Sequence, residues 1–166
     1  MDHETPSRPV EGSRVEMTQL VLPSDTNTHG NAFGGSIMSW VDVCAAIAAQ
    51  RHCRRTVVTA AVDQLMFVEA IKKGMVVSLR AQVNRAWRTS MEVGVRVESE
   101  EPMTGLRRHA LSAYLTFVAL GEDGKPIPVP AAAATSPDDL RRQKDALARR
   151  ESRLALREQV KTHRQG

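Results

Sequence analysis

His29-Gly30-Asn31-Ala32-Phe33-Gly34-Gly35-Ser36-Ile37-Met38-Ser39-Trp40-Val41-Asp42-Val43-Cys44-Ala45-Ala46-Ile47-Ala48 begins small and polar and runs into a helix-length stretch with one carboxylate at its centre. Over residues 35–53, Ile37, Met38, Trp40, Val41, Cys44, Ile47 and Ala48 leave no broad polar stripe, the pattern of a helix buried on nearly every side. At roughly twenty residues it has the length of a bilayer span. Asp42 at its middle and the small, polar opening argue instead for a soluble core helix. A charge in that position needs a partner or a reaction to perform.

The amino end of this helix offers unpaired backbone N–H groups where Gly34 and Gly35 allow close approach, a position suited to a carbonyl or an oxyanion. The competing reading is that Gly34-Gly35 only turns the chain into the helix. Gly35 and Asp42 are seven residues apart, nearly on one face but roughly 10 Å apart along the axis. Two antiparallel helices from two subunits would bring the amino end of one to the carboxylate of the other, so the spacing predicts a dimer with two equivalent sites. Asp42 would then activate water or attack directly, Asn31 would donate to a carbonyl, and Gly35 would stabilise the developing charge. The plainer alternatives are an ion pair of Asp42 with Arg51, His52 or a strand cation, and a turn role for Asn31. His29 lacks a triad, no Gly-x-Ser-x-Gly elbow exists, and no glycine-rich phosphate cradle with a lysine is present.

With 166 residues, 42% of them hydrophobic and 4% aromatic, the chain suits one ordinary domain plus tails. Its formal net charge of +4 traces to the stretch beyond Ser136, where nine arginines and lysines face five acids. Those interleaved acids, and the lack of aromatic residues among the arginines, argue against a nucleic-acid partner. Cys44 and Cys53 lie roughly 13 Å apart along the helix, beyond disulfide reach, so reduced thiols and a cytoplasmic setting are expected. No metal-ligand spacing links the cysteines and histidines, and no secretion signal or membrane insertion is read.

The remainder reads as strands. Residues 15–22 alternate until Pro23-Ser24-Asp25; residues 56–68 are rich in β-branched side chains; Lys72-Lys73-Gly74 is a turn. Residues 75–84 and 91–98 alternate apolar and polar as strands with one buried face, and residues 106–120 form another long apolar stretch. An antiparallel meander is the economical connection, giving an α+β fold with one helix against a curved sheet. Residues 137–163 predict a second helix with Ser136 as N-cap and Pro137 at its first position, on which Leu140, Leu147 and Leu154 draw a narrow apolar line for a surface or a partner. The organisation is a flexible amino-terminal tail at 1–13, a domain at 14–130, and a linker with a basic helix at 131–166.

Asp25-Thr26-Asn27-Thr28-His29-Gly30-Asn31-Ala32-Phe33-Gly34-Gly35 followed by Trp40-Val41-Asp42 resembles the hotdog-fold acyl-CoA thioesterases, in particular the brain-type acyl-CoA hydrolases and their bacterial YciA-like relatives. Arg51-His52-Cys53, Val58-Thr59, Phe67 with Gly74, and Arg88-Thr89-Ser90-Met91 continue the likeness over roughly 15–129, and the basic carboxy-terminal helix is similar as well. The resemblance implies a curved antiparallel sheet wrapped around a central helix and hydrolysis of acyl-CoA to coenzyme A and a carboxylic acid in lipid metabolism. It implies no cofactor beyond the coenzyme A of the substrate, and a homodimer as the minimal unit, with a hexamer as trimer of dimers.

By position it makes Asp42, Asn31 and Gly35 catalytic, with Gly34, Phe33, Arg88, Thr89 and Ser90 binding substrate, the last three near the coenzyme A arm. A solvated turn is the alternative for Arg88-Thr89-Ser90. Trp87, Ala70 and Met75 depart from the family's usual glycine, proline and acid. A hotdog protein that binds acyl-CoA as a sensor without turnover is the rival function, against which the retained Asp42 speaks.

Overall fold

The structure, a computed structural model, describes residues 6–164, with side chains as far as residue 161. Strands β1 (Ser7–Pro9), β2 (Val15–Leu20), β3 (Thr56–Phe67), β4 (Val76–Ala86), β5 (Ser90–Glu101), β6 (Leu106–Leu120) and β7 (Ala131–Ala133) accompany helices α1 (Gly34–Cys53) and α2 (Pro137–Arg164). The main sheet has the order β2-β4-β5-β6-β3, with every pairing antiparallel. Only β4–β5–β6 is a meander. The expected run from β3 directly into β4 gives way to β3 beside β6, because α1 carries the chain from one edge of the sheet to the other before β3 begins.

Small side chains let the sheet close around α1. Cys44, Ala45, Ala48 and Ala49 are fully buried and admit the inward valines and leucines of β4, β5 and β6: Val77, Leu79, Val83, Val93, Val97, Leu111 and Leu115. The helix packs against all five strands. It ends where Arg54 adopts a left-handed conformation (φ 55°) and returns its N–H to Gln50 O. It is not buried on nearly every side, as its composition predicted: Met38 and Val43 are about half exposed and Asp42 is half-buried, so one stripe stays open beside the edge strand β3.

The expected loose tail over 1–13 is ordered from residue 6 onward. β1 pairs in parallel with β7, Val10 is fully buried, and the Ser13 hydroxyl donates to Val10 O (2.6 Å) while accepting from Val83 N–H (2.9 Å). A segment whose backbone joins a strand and whose valine closes the core has traded chain entropy for pairing and burial. Residues 1–5 of that expectation lie outside the described residues.

The outer face of the sheet carries α2. Ser136 Oγ accepts from Asp139 N–H at 3.1 Å, the expected cap. Ala146 is buried, and Arg149 pairs with the fully buried Glu92 at 2.7 Å. Past Arg80, therefore, β4 and β5 are covered on both faces, against the single buried face read from their alternation: Gln82, Asn84 and Glu92 lie under α2. Leu140, Leu147 and Leu154 point away from the sheet, at 61%, 37% and 43% exposure.

Candidate active site

Two half-sites lie on the inner face. At the amino end of α1, Ser36 and Ile37 are the first N–H groups to bond back, both to Phe33 O, which leaves those of Gly34 and Gly35 without an intrahelical partner. Rings flank both glycines. A Cβ on Gly34 would stand 3.7 Å from Phe67 Cζ, and one on Gly35 would stand 2.6 Å from Phe33 Cε1, so Gly35 takes a side chain only if the exposed Phe33 ring swings away. The cleft beneath them, about 350 Å³, is lined by Asn27, Asn31, Gly34, Ile37, Phe67 and Ile71 among others.

Asn27 organises the loop before the helix. Its Oδ1 accepts from the backbone N–H groups of His29 (2.9 Å) and Asn31 (3.2 Å), its N–H donates to Asn31 O (2.8 Å), and its carbonyl accepts from Gly30 N–H (3.0 Å). Gly30 takes φ 74°, which closes this turn at no steric cost. The side-chain oxygen of Asn27 is thus committed to the loop and its amide donors face no described acceptor. The sequence points to Asn31, which lines the same cleft, whereas Asn27 stands in the family-like stretch without a pattern that assigns it a role. The signal that marks it is an Asx turn, an Asn two residues before the N–H it captures.

The second half-site is Asp42, about two turns further along. Thr59 Oγ1 donates to Asp42 Oδ1 at 2.7 Å. No cation pairs with Asp42 among the described residues, so the expected rival, an ion pair with Arg51, His52 or a strand cation, is not what satisfies it. Arg51 bonds to Arg14 O, and the His52 ring reaches Pro130 O at 3.0 Å. Burial holds His52 below its ordinary value, outweighing its bond to Pro130 O, so the ring is neutral at pH 7. Thr59 is the other functional candidate that the sequence does not mark, since a threonine in a strand carries no pattern of its own.

One chain keeps the half-sites apart: Asp42 does not line the Gly34 cleft. Gly34 and Asp42 are eight residues apart on α1, roughly 12 Å along its axis, and their respective neighbours on β3, Phe67 and Thr59, are likewise eight residues apart along the strand. The Arg88-Thr89-Ser90 turn is at the Asp42 end, because Met91, Phe117 and Thr59 are in register across β5, β6 and β3. Phe33, Gly34, Gly35 and Asn31 are brought together; Arg88, Thr89 and Ser90 are not brought to them.

Neither cysteine is a nucleophile. Burial pushes the Cys44 thiol up to about 11 and raises that of Cys53 as well. Among the described residues no three His, Cys, Asp or Glu side chains could hold a metal ion, and no helix is long and apolar enough to cross a membrane. A larger cleft of about 410 Å³ lies on the outer face between the sheet and α2, lined by Arg14, Arg80, Arg96, Arg141, Arg142 and Arg149. Each of these arginines holds a carboxylate, and the cleft is on the far side of the sheet from Asp42. It is separate from the chemistry above.

A sequence model of the thioesterase superfamily matches residues 29–106. An uncharacterised acyl-CoA thioester hydrolase of Bacillus subtilis is 42% identical over 151 residues, covering 90% of this chain and 88% of the relative. The cytosolic acyl coenzyme A thioester hydrolase of Rattus norvegicus is 34% identical over 142 residues, covering 84% of this chain but 37% of that longer protein. Among solved structures, an apo-hexameric acyl-CoA thioesterase superposes with a TM-score of 0.87 at 41% identity, covering 90% of this chain and 96% of the other. The acyl-CoA hydrolase of Staphylococcus aureus, in complex with butyryl coenzyme A, coenzyme A and coenzyme A disulfide, superposes with a TM-score of 0.89 at 35% identity, covering 95% and 96%. Alanine variants of one aspartate, one asparagine and one threonine of that hydrolase are similar to the chain as well.

Proposed function

We propose that this chain, which belongs to the thioesterase superfamily, hydrolyses acyl-CoA to coenzyme A and a carboxylic acid, with Asp42 as base or nucleophile. The observation that carries the site is the Thr59–Asp42 hydrogen bond: the threonine hydroxyl fixes one carboxylate oxygen and leaves the other to act. In the Staphylococcus aureus hydrolase the substituted asparagine and aspartate stand fifteen residues apart, and the aspartate and threonine seventeen. Asn27, Asp42 and Thr59 keep both spacings here. That agreement favours Asn27 over Asn31 as the amide that orients the thioester carbonyl, with Asn31 beside it in the same cleft.

The site is composite in this reading. β3 is an edge strand with Val58, Val62, Met66 and Phe67 exposed. Two such edges paired antiparallel about Asp63 set Thr59 of one subunit against the partner subunit's Phe67, and so carry Asp42 to the partner's Gly34. The N–H groups of Gly34 and Gly35 polarise the thioester carbonyl, Asp42 delivers the attack, and the charge developing on oxygen is met by preorganised donors. Phe33 covers the acyl entrance, and Arg88, Thr89 and Ser90 hold the coenzyme A arm. The assembly extends to a hexamer of three such dimers, in the cytoplasm, with no cofactor.

The test is release of free thiol from short-, medium- and long-chain acyl-CoAs. Wild type should turn over part of the panel. Asp42→Ala should lose at least about a hundredfold in kcat, and Asn27→Ala should lose more than Asn31→Ala. Coenzyme A binding without thiol release across the panel would make the protein a binding module instead. Single turnover in ¹⁸O-labelled water, with recovery of the label in Asp42, would identify direct attack.

A further inference from the structure

α2 crosses the outer face of the sheet one strand at a time. Asp139 accepts from Gln82 of β4, Arg149 pairs with Glu92 of β5 and lies over Tyr114 of β6, and Arg153 pairs with Asp63 of β3, the edge strand. At Arg153 the protomer's own sheet ends. The helix runs on to Arg164, eleven residues or roughly 16 Å beyond Arg153, enough to cross about three more strand spacings. Leu156 and Val160 stand seven residues after Arg149 and Arg153, two turns on, so they continue the face that docks. Over the sheet that face carries Asp139, Arg149 and Arg153; past the edge it turns apolar, and its two side chains are 61% and 45% exposed because no strand lies beneath them. Most of a helix's stability comes from packing such a face, which the last turns of α2 lack within one protomer.

The strand that continues the sheet past β3 is β3 of a second copy. Arg150 lies over Trp87, whose turn is in register with the Thr59 end of β3, and Arg149 lies over Tyr114, in register with Gln64, so α2 meets β3 between Thr59 and Gln64. Edges paired antiparallel about Asp63 set that stretch against the one that ends at the partner subunit's Phe67. Met66, one residue before it, is exposed and in register with Ser112, which lines the outer cleft, so its side chain is on the face that α2 crosses. We propose that the last three turns of α2 reach over the dimer seam and seat Leu156 and Val160 on the partner subunit's Met66, each subunit clasping the other. This rests on the β3 pairing of the composite site. It gives α2 a part in the site's assembly without contact with substrate: Arg153 holds its own edge strand and Leu156 the partner's, the two strands whose pairing carries Asp42 to the partner's Gly34.

Cross-linking and sedimentation of the full chain test this. Under mild oxidation, Leu156→Cys combined with Met66→Cys should give a covalent dimer on a non-reducing gel, which neither single variant gives. Leu156→Asp combined with Val160→Asp should raise the dissociation constant of the dimer at least about tenfold, since two apolar side chains lose their burial. Thiol release per chain should then fall on dilution and return at high protein concentration, with the circular dichroism of the fold unchanged. An oligomeric wild type in which the link does not form, or whose affinity the two aspartates leave unmoved, overturns the clasp and leaves the β3 pairing standing. A ladder of covalent species beyond the dimer means that α2 docks between dimers, and overturns it as well. A wild type that sediments as a monomer removes the pairing and the clasp together.

Discussion

The sheet is covered by a helix on each face, and the two are held by opposite means. α1 lies inside on alanines and a cysteine, with its contact surface almost free of charge. α2 lies outside on polar groups: Asp139 accepts from Gln82 Nε2 (2.7 Å) and Thr135 Oγ1 (2.9 Å), Arg149 clamps Glu92 and stacks 3.6 Å from the centroid of Tyr114, and Arg153 reaches Asp63. Apolar packing is non-directional and tolerates sliding, whereas charge-assisted bonds fix a position but penalise any loss of a partner. The inner helix therefore sets stability by volume, and the outer helix sets register.

Removing one partner of the outer clamp should have the largest effect. Glu92→Ala leaves Arg149 without its buried partner and should cost about 3–5 kcal/mol in denaturant unfolding, whereas the paired change Glu92→Leu with Arg149→Leu should recover most of it. If the double variant is as unstable as the single, the clamp is not what docks α2. On the inner face, Ile37→Ala should cost about 2–4 kcal/mol through the cavity it leaves, with no dependence on salt.

Acid should separate the two faces next. His52 is neutral in the fold and its ordinary value is 6.5, so below that pH the unfolded chain binds the extra proton and stability falls as pH drops. The thermal midpoint should decline between pH 6.5 and 5, and His52→Gln should flatten the slope. Asp139 loses its contribution in the same direction but at lower pH. Burial raises its carboxyl, but Gln82, Ser136 and Thr135 together hold it down to about 2, so its contribution is full above its ordinary value of 3.8 and is lost only as pH falls through about 2. The amino end of α2 should stay docked through the range where the end of α1 weakens, as hydrogen exchange would record. The smallest effect belongs to the outward leucines: Leu147→Ser should move unfolding of the isolated protomer by no more than about 0.5 kcal/mol.

The same contrast decides what could be read from the sequence. α1, the strands and the caps of α2 were legible because each leaves a local pattern: an apolar run, a two-residue alternation, a Ser-Pro opening. The side of α2 that docks was not, because its contacts pair Arg149 and Arg153 with acids 57 and 90 residues away, and such partners have no spacing. Alternation even misled, since Glu92 occupies a position that reads as solvent-facing until α2 is laid over it. In the site, Asp42 was conspicuous as a lone charge, and Gly34 and Gly35 by their place before the helix. Thr59 was not, for it matters only through a partner seventeen residues earlier, and Asn27 was passed over because its work is done in the turn it holds.

The burial of Cys44 and Cys53 has a bearing on redox chemistry. Thiol exchange proceeds through the thiolate, and Cys44, held near 11, offers almost none at neutral pH, with Cys53 also raised and buried. An enzyme that frees one thiol with every turnover would otherwise expose its own thiolates to exchange with any disulfide formed from that product. By keeping both sulfurs protonated and out of reach, the fold shields its catalyst from the compound it makes.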